Sequence, residues 1–468
     1  MLERFFGLKA AGTSVRTEVV AGSTTFLTMA YIIFVQPAVL SGALTGSPTG
    51  MDFGAVTVAT CLAAALATAV MGLYARFPVA QAPGMGQNFF FVLSIIPAVA
   101  ATGHPEPWRA ALGVVFVAGM LFLLLSVLGV RQLVIDALST SMKSAIGAGI
   151  GVFIAFVGLQ NAAVIVRDPG TAVSLTAALQ SPDSLLFFFG LTVTSILYAR
   201  RVPAALLLGM VSTLVAALVA RALLVVEPGG VGLHAGSMLM TRFEVADRLV
   251  AVPPSMAPTF LRLDVTTALS WELLPLVLLV LFMDMFDTIG TLVAVAQRAP
   301  LIRSGRLLRS GRAMVSDAIG TVSGAVLGTS TVTSYVESVA GVEQGGRTGL
   351  TAVVAAGLFL LALPLTPLIA MIGSYPPITA PVLVIVGALM MRSVTAIDWD
   401  DATEALPAFL TLIGIPLTYS IADGIALGLI AYPILKLSTG RGDEANWLSR
   451  LLAIVLAGYF VLLRPQIA

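Results

Sequence analysis

Long apolar runs fill most of the sequence, and short polar stretches separate them. Runs without a charged residue include 19–51, 53–75, 110–130, 144–166 and 202–220. About 20 apolar residues suffice for a helix to cross the hydrocarbon core of a bilayer. A membrane-spanning β-strand would instead alternate apolar and polar positions over about ten residues. The pattern therefore predicts an all-α polytopic membrane protein.

The runs predict fourteen transmembrane segments in two sets of seven. The first set is 19–40, 54–74, 85–100, 108–129, 144–163, 184–199 and 203–226. The second set is 271–296, 312–328, 335–343, 349–373, 378–392, 404–420 and 422–437. We therefore expect a first seven-span repeat at 1–226, a long extracellular or periplasmic loop at 227–270, a second seven-span repeat at 271–440, and a C-terminal interfacial helix and tail at 441–468.

The third segment of each set is interrupted. In the first set, "ARFPVAQAPGMGQNFFFVLS" carries Pro78, Pro83, Gly84 and Gly86, which forbid a continuous helix. In the second set, "LGTSTVTSYVESVAGV" has a β-branched, hydroxyl-rich run before a short helical stretch. We expect short extended segments in both. Broken segments at matching positions of two halves indicate a transporter with a mid-membrane binding site, because half-helix ends present unpaired backbone groups there.

Composition and charge define the environment and the orientation. Of the 468 residues, 58% are apolar and 10% are charged, and the mean hydropathy is +1.00, which excludes an ordinary soluble protein. Most of the 25 Lys and Arg residues fall in alternate loops counted from the N-terminus, and the positive-inside rule assigns those loops to the cytoplasm. This distribution predicts a multi-pass protein of the cell (inner) membrane with both termini cytoplasmic. The single cysteine, Cys61, excludes an internal disulfide.

Three carboxylates stand out within the predicted spans. Asp284 and Asp287 in "FMDMFDTIG" are three residues apart, and this spacing predicts roughly the same helix face for both. Glu337 lies in the second broken segment. An acid inside a membrane is costly unless it is protonated or paired, so such residues are functional candidates. We expect these three to act in binding or proton coupling, and Asp317, near the start of its span, to be a structural partner.

Five stretches carry long and specific motifs: "VRTEVVAGSTTFLTMAYIIFVQP", "APGMGQNFFF", "FMDMFDTIGTL", "LGTSTVTSYVESVAGVEQGGRTGLTAVV" and "PLTYSIADGIALG". They resemble the AzgA-like purine permeases, within the nucleobase and ascorbate transporter superfamily, from about residue 3 to 440. The resemblance implies two inverted seven-span repeats and a core domain that carries substrate past a gate domain by an elevator mechanism. It also implies a homodimer and proton-coupled import of purine bases.

The resemblance further implies the positions of a substrate site. The acids of "FDTIGT" and "YVES" match the binding acids of the eighth and tenth spans, and "GMGQNFFF" matches the third span. A purine offers ring N–H groups and flat faces, to which carboxylates, an amide and a phenyl ring are complementary. The matched positions are Asp287, Thr291, Glu337, Tyr335, Asn88 and Phe89.

The sequence departs from the family pattern beside this site. Gln81 and Gln87 stand where Leu is common, Phe89 stands where Ala is common, and the first span ends in "VQP" rather than "VNP". These changes add donors and bulk near the pocket. Gln87 therefore joins the predicted substrate-binding residues, and the particular base stays open.

Three other functions compete with this interpretation. A uracil or xanthine-type nucleobase carrier fits the same fold, as does an anion channel or exchanger, although an anion site should lack acids such as Asp287 and Glu337. A membrane-embedded hydrolase is disfavoured because the sequence lacks a Gly-x-Ser-x-Gly motif, a paired-His metal motif and a nucleotide-binding loop. The chain is thus predicted not to be an enzyme and to need no cofactor or metal. Its expected partners are a nucleobase, protons, the lipid bilayer and a second copy, and no nucleic acid.

Overall fold

The computed structural model describes residues 2–44, 46–128, 138–226, 236–298, 302–303, 306–307 and 309–462. Helices dominate these ranges, and six short strands form three two-stranded antiparallel sheets. Part of the predicted connecting loop, with His234, lies outside the described residues, as does the end of the C-terminal tail.

The helices begin and end close to the predicted boundaries. Up to the connecting region they are α1 (Leu2–Phe6), α2 (Val15–Met29), α3 (Ile32–Leu40), α4 (Phe53–Val70), α5 (Met85–Phe90), α6 (Ile96–Ala101), α7 (Pro107–Leu128), α8 (Thr140–Asn161), α9 (Pro182–Ala199) and α10 (Ala205–Val226). The connecting region contains α11 (Met238–Thr241) and α12 (Val265–Ala268). Then follow α13 (Leu274–Arg298), α14 (Ser310–Leu327), α15 (Ser338–Glu343), α16 (Gly349–Leu361), α17 (Thr366–Ser374), α18 (Pro376–Met390), α19 (Ala402–Leu417), α20 (Ile421–Ser438) and α21 (Trp447–Leu462).

The strands are short and lie between helices. They are β1 (Gln81–Pro83), β2 (Ile165–Asp168), β3 (Ala172–Leu175), β4 (Ile302–Arg303), β5 (Arg306–Leu307) and β6 (Val332–Ser334). Strands β2 with β3 and β4 with β5 form local hairpins. Strands β1 and β6 are far apart in sequence and lie in the two broken segments, where extended structure was expected.

Ten helical stretches in the described part of the chain are long and apolar enough to cross a membrane, and each overlaps a predicted segment. Some of them join adjacent helices, for example Val15–Leu40 and Gly349–Ser374. The four other predicted segments differ for physical reasons. Segments 85–100 and 335–343 follow strands β1 and β6 and contain only the shorter helical stretches Met85–Ala101 and Ser338–Glu343. Helix α19 has only 16 residues, and α14 carries Arg312 and Asp317 among Ser, Thr and Gly. The protein is therefore a mostly helical, multi-pass membrane protein, and the count of fourteen spans stays a prediction.

The long helices pack into two bundles. The first bundle comprises α2–α7 and α13–α17, in which α14 packs on α4 and α7, and α16 packs on α2 and α4. The second bundle comprises α8–α10 and α18–α21, in which α8 packs along α18 and α19. Contacts between the bundles are sparse and include α5 against α8. Each bundle takes helices from both halves of the sequence, so the halves interleave.

Glycines allow the closest helix contacts in the second bundle. A Cβ at Gly151 of α8 would lie 2.7 Å from the carbonyl oxygen of Gly387 in α18. One at Gly149 would lie 2.7 Å from Ile415 of α19. The glycine-rich stretch of α8 is therefore a packing seam of the small-residue type common between membrane helices.

A buried carboxylate ties α2 to the start of α16 in the first bundle. Glu18 is fully buried and accepts hydrogen bonds from the backbone N–H groups of Arg347, Thr348 and Thr351 at 2.9, 3.3 and 3.1 Å. The hydroxyls of Thr348 and Thr351 also donate to it, at 2.9 and 2.6 Å. The first N–H groups of a helix have no partner within the helix, so this carboxylate from a distant segment caps α16.

Strands β1 and β6 join the two broken segments through backbone hydrogen bonds. They run antiparallel, and their ladder continues from Gly84 N to Thr331 O and from Tyr335 N to Ala80 O, both at 3.0 Å. The paired residues are Gln81 with Ser334, Ala82 with Thr333, and Pro83 with Val332. The polar residues that follow each strand are thereby brought to one place in the first bundle.

Candidate functional site

One side of α13 is open halfway along the helix. Asp287 is exposed, and so is Gly290, where an added Cβ would meet no atom within 4 Å. Asp284 and Thr288 on the same helix are buried, at 1% and 0% exposure, and Thr291 is 6% exposed. A carboxylate in the middle of a membrane-crossing helix is not expected to face lipid. We therefore infer that the open side of α13 borders a polar region and not lipid, and we call the space beside Asp287 the cleft.

The two acids of α13 face different surroundings, although their spacing sets their directions only about 60° apart. Residues three apart on a helix differ by about 60° in direction, since the helix has 3.6 residues per turn. On α13, the side with Asp284 packs against α14 and β6, and the side with Asp287 does not.

Gln87 provides the polar partner of Asp287. Its Nε2 donates a 3.1 Å hydrogen bond to Asp287 Oδ2 from the first turn of α5, directly after β1. A Cβ at Gly84 would overlap the Gln87 amide, so the glycine of "PGMGQN" is needed for this side-chain position. The amide oxygen of Gln87 is buried and accepts no hydrogen bond from the described residues. Asp287 therefore presents the acceptor group at the edge of the cleft, and the buried Gln87 fixes its orientation from behind.

Glu337 is the second acid near the cleft. It is partly exposed, directly precedes α15 and accepts a 2.7 Å hydrogen bond from the Tyr31 hydroxyl. It is near enough to Asp287 for the two carboxylates to interact electrostatically. Val336 beside it is 52% exposed, so the open region continues from α13 to this turn. The structure thus brings together the acids of the eighth and tenth predicted segments.

Tyr31 joins the candidate site only through the tertiary structure, because its sequence position does not predict a functional role. It lies in the break between α2 and α3, where the first segment is not a single helix. A tyrosine in an otherwise apolar span is a weak signal, because a buried phenol simply needs some hydrogen-bond partner. Only its distance to Glu337 identifies it as a site residue.

Three predicted site residues are buried behind the open surface. Asn88 is fully buried, and its Nδ2 donates to Gln36 Oε1 at 2.7 Å. Phe89 is also fully buried. Tyr335 is 5% exposed, and its hydroxyl donates to the Pro83 carbonyl at 2.5 Å. In this conformation they support the junction of the strands, and their contact with substrate stays a prediction.

Gln36, from the unusual "VQP", links Asn88 to the turn before β6. Its Nε2 donates to the hydroxyls of Thr329 and Ser330 at 2.9 and 2.8 Å, while its oxygen accepts from Asn88. One side chain of α3 therefore fixes parts of both broken segments.

A second group of polar side chains lies behind the two strands. Gln81 Nε2 and the Ser334 hydroxyl donate to Asp317 Oδ1 at 2.5 and 2.9 Å. The hydroxyls of Thr288 and Thr333 are 2.9 Å apart. Asp317 lies within α14 and does not cap it, and its partners, Gln81 and Ser334, come from both strands.

The described residues contain no group of three or more His, Cys, Asp or Glu side chains arranged to hold a metal ion. The polar groups of the cleft are carboxylates, a carboxamide and a phenol. This set suits a neutral solute that offers N–H donors.

Comparisons with known proteins agree with the fold and with the motifs. A model described as "Permease family" (Xan_ur_permease) matches residues 16–427. The guanine/hypoxanthine permease PbuG of Bacillus subtilis is 42% identical over 99% of this chain and 100% of its own length. The adenine permease AdeP of Escherichia coli is 40% identical over 94% of this chain and 92% of its own length.

Among solved structures, the transmembrane domain of the cyanobacterial bicarbonate transporter BicA is similar. The TM-score is 0.61 at 14% sequence identity, and the likeness covers 89% of this chain and 97% of that chain. At this identity the likeness shows the fold alone. With the family match over most of the length, the chain belongs to the Permease family, as its resemblance to the AzgA-like purine permeases predicted, and it is a membrane transport protein and not an enzyme.

Proposed function

We propose that this protein is a secondary active transporter that imports purine nucleobases by proton symport. The observation that carries the proposal is the pairing of Asp287 with Gln87 on the open side of α13, with Glu337 nearby. The substrate class comes from the relatives, which are named as guanine/hypoxanthine and adenine permeases.

The chemistry of the cleft suits a purine. Asp287 Oδ2 already accepts from Gln87, and the other carboxylate oxygen is available for a ring N–H of the base. Gln87 holds that carboxylate in place through its amide N–H. Glu337 provides a second acceptor when ionised and a donor when protonated. Thr291, Tyr335, Asn88 and Phe89 complete the proposed binding set.

We infer proton symport from the carboxylic acids that lie within the membrane-spanning region. Asp287 and Glu337, the two acids at the cleft, are the candidates for the coupling group, because an acid in a membrane interior changes its proton affinity when its surroundings change. A base that binds only one protonation state links its own movement to that of a proton.

The two-bundle arrangement supports an elevator-type mechanism. The first bundle holds both strands and both acids of the cleft, and it meets the second bundle through sparse contacts. We propose that the first bundle moves past the second with its substrate. Fourteen spans in two inverted repeats, cytoplasmic termini and a homodimer belong to the same proposal.

Two alternative transport functions are each supported by a specific observation. A uracil or xanthine carrier would use the same acceptors for a different ring. An anion exchanger is suggested by the fold likeness to a bicarbonate transporter, but two acids beside the cleft would repel an anion.

Uptake in proteoliposomes tests the proposal. Purified protein should accumulate labelled adenine, guanine or hypoxanthine when the outside is acidic, and should not exchange bicarbonate. Asp287→Asn should abolish uptake in a folded protein, because the amide keeps the shape but loses the charge and the titratable group. Asp284→Asn, one turn away on the same helix, is the matched control and should lose less. Equal loss in both variants, or purine binding unchanged in Asp287→Asn, would overturn the site.

A further inference from the structure

The hydroxyl of Thr321 lies between two oxygen atoms and has one proton to give. Asp284 Oδ2 is 2.6 Å from Thr321 Oγ1, and the carbonyl oxygen of Val332 is 3.0 Å from it. A carbonyl can only accept a hydrogen bond, and so can an ionised carboxylate. If Asp284 were ionised, both oxygens would compete for the same proton. If Asp284 is protonated, it donates to Thr321 and Thr321 donates to Val332, and each contact has its own proton.

The Val332 carbonyl needs the Thr321 proton. Opposite residues of an antiparallel pair alternate between hydrogen-bonded and non-hydrogen-bonded positions. The bonds at Gly84 with Thr331 and at Tyr335 with Ala80 place Val332 at a non-hydrogen-bonded position, so its carbonyl points away from β1. Its partner Pro83 has no N–H. A buried carbonyl without a donor is costly, so Thr321 is its expected donor.

The other strand shows the same arrangement with its protons assigned. Thr68 of α4 donates to the Gln81 carbonyl at 2.8 Å and accepts from the Gln81 N–H at 2.8 Å. Thr68 therefore gives one proton to the edge of β1 and receives one. At the edge of β6, Thr321 gives its proton to Val332, and Asp284 occupies the position of the group that donates to the hydroxyl.

The surroundings of Asp284 disfavour a negative charge. The residue is 1% exposed, and its Oδ1 accepts no hydrogen bond from the described residues. Two further acids lie close to it, Asp287 three residues on along its own helix and Asp317 one turn before Thr321 on α14. None of the ion pairs found in the described ranges involves Asp284. A buried carboxylate with like charges nearby and no counterion takes up a proton instead.

Asp317 has the opposite hydrogen-bond pattern. Its Oδ1 receives the Gln81 amide N–H and the Ser334 hydroxyl, and both act as donors to it. The two acids behind the strands therefore differ in their contacts: Asp317 Oδ1 has two donors, whereas Asp284 Oδ2 shares the Thr321 hydroxyl with the Val332 carbonyl.

We propose that Asp284 is a permanently protonated acid that positions β6 through Thr321, and that its proton is not the one transported. This inference rests on the proposed function only in that β6 leads into Tyr335 and Glu337. Asp284 is accordingly a positioning residue, which acts on the site through the Val332 carbonyl.

Infrared difference spectroscopy on the purified full-length protein in lipid tests the protonation state without any substrate. The wild-type spectrum minus that of Asp284→Asn should show a carboxylic acid C=O band that persists at neutral and mildly alkaline pH. The band should move to higher frequency in Thr321→Val, because the acid loses its acceptor, and should return in Thr321→Ser. Asp317→Asn is the matched control and should keep the band.

A carboxylate difference in place of the acid band overturns the proposal, as does a band that disappears in Asp317→Asn and stays in Asp284→Asn. If Asp284→Asn does not fold, the frequency of the acid C=O band is compared between wild type and Thr321→Val. An acid band at the same frequency in both would contradict a hydrogen bond from Asp284 to Thr321.

Transport assays test the second half of the proposal. An Asn can donate to Thr321 as a neutral acid does, so Asp284→Asn should keep proton-driven accumulation within about threefold of wild type. A Leu cannot donate, so Asp284→Leu should raise KM by roughly fivefold, which corresponds to the loss of one neutral hydrogen bond. Exchange without accumulation in Asp284→Asn would show that its proton is transported and would overturn the inference. A protein that carries no purine would leave the infrared result intact, so the two proposals fail separately.

Discussion

The Tyr31 hydroxyl donates a 2.7 Å hydrogen bond to Glu337 Oε1, joining the break in the first segment to the turn before α15. A phenol that donates to a carboxylate favours the ionised form, since a neutral acid accepts more weakly. The strength of this contact therefore depends on whether Glu337 holds a proton. Tyr31 is placed to stabilise one protonation state of a candidate coupling group.

Removing the Tyr31 hydroxyl should weaken transport and alter its pH dependence. Tyr31→Phe deletes a hydrogen bond to a charged group, which is worth about 1.5 to 3 kcal/mol, so KM should rise about tenfold or more. Without this donor Glu337 should take up a proton more readily, and the uptake profile should shift to higher pH. Initial rates in proteoliposomes between pH 5 and 8 measure both effects. Tyr198→Phe, on the exposed face of α9, is the control and should behave as wild type.

Gln87 should select among bases. Gln87→Leu removes the amide that donates to Asp287. An unpaired polar group in a dry pocket costs about 1 to 3 kcal/mol, so relative affinities should change about tenfold between bases that pair with the amide and bases that do not. Competition of adenine, guanine, hypoxanthine, xanthine and uracil against one labelled purine measures the change. An unaltered order of inhibition would place Gln87 outside the substrate contacts.

Glu337→Gln should separate exchange from accumulation. The amide imitates a protonated acid, so the variant should bind the base and exchange labelled for unlabelled base across the membrane. It should fail to concentrate the base when the outside is acidic, because the titratable group is gone. Counterflow and accumulation measured on the same vesicles compare the two activities. Loss of binding and exchange together would assign Glu337 to anchoring, and normal accumulation would remove it from coupling.

Glu18 should matter for stability rather than for transport specificity. Glu18→Ala leaves the N–H groups at the start of α16 and two threonine hydroxyls without their acceptor. Each unsatisfied buried donor costs about 1 kcal/mol or more, so the melting temperature in detergent should fall by several degrees. Glu18→Gln keeps one acceptor oxygen and should fall less. A melting curve identical to wild type in Glu18→Ala would show that water replaces the cap.

The sequence by itself determined the membrane character, the positions of the segments and the two interruptions. Apolar runs of spanning length leave few alternatives in a bilayer, and Pro83, Gly84 and the hydroxyl-rich run at 329–334 prevent helix locally. The acids could be selected as well, since any carboxylate in such a run stands out. These signals are local in the chain, and the structure has helices and strands at the corresponding places.

Only the tertiary structure decided what each polar side chain faces. Asp284 and Asp287 look equivalent in the sequence, yet one is sealed behind β6 and the other opens to the cleft, because α14 and the strands cover one side of α13. The partners of Asp287, Glu337 and Asp317 come from segments far away along the chain. Such pairs follow from how the helices pack, and the periodicity of one segment carries no information about its distant neighbours.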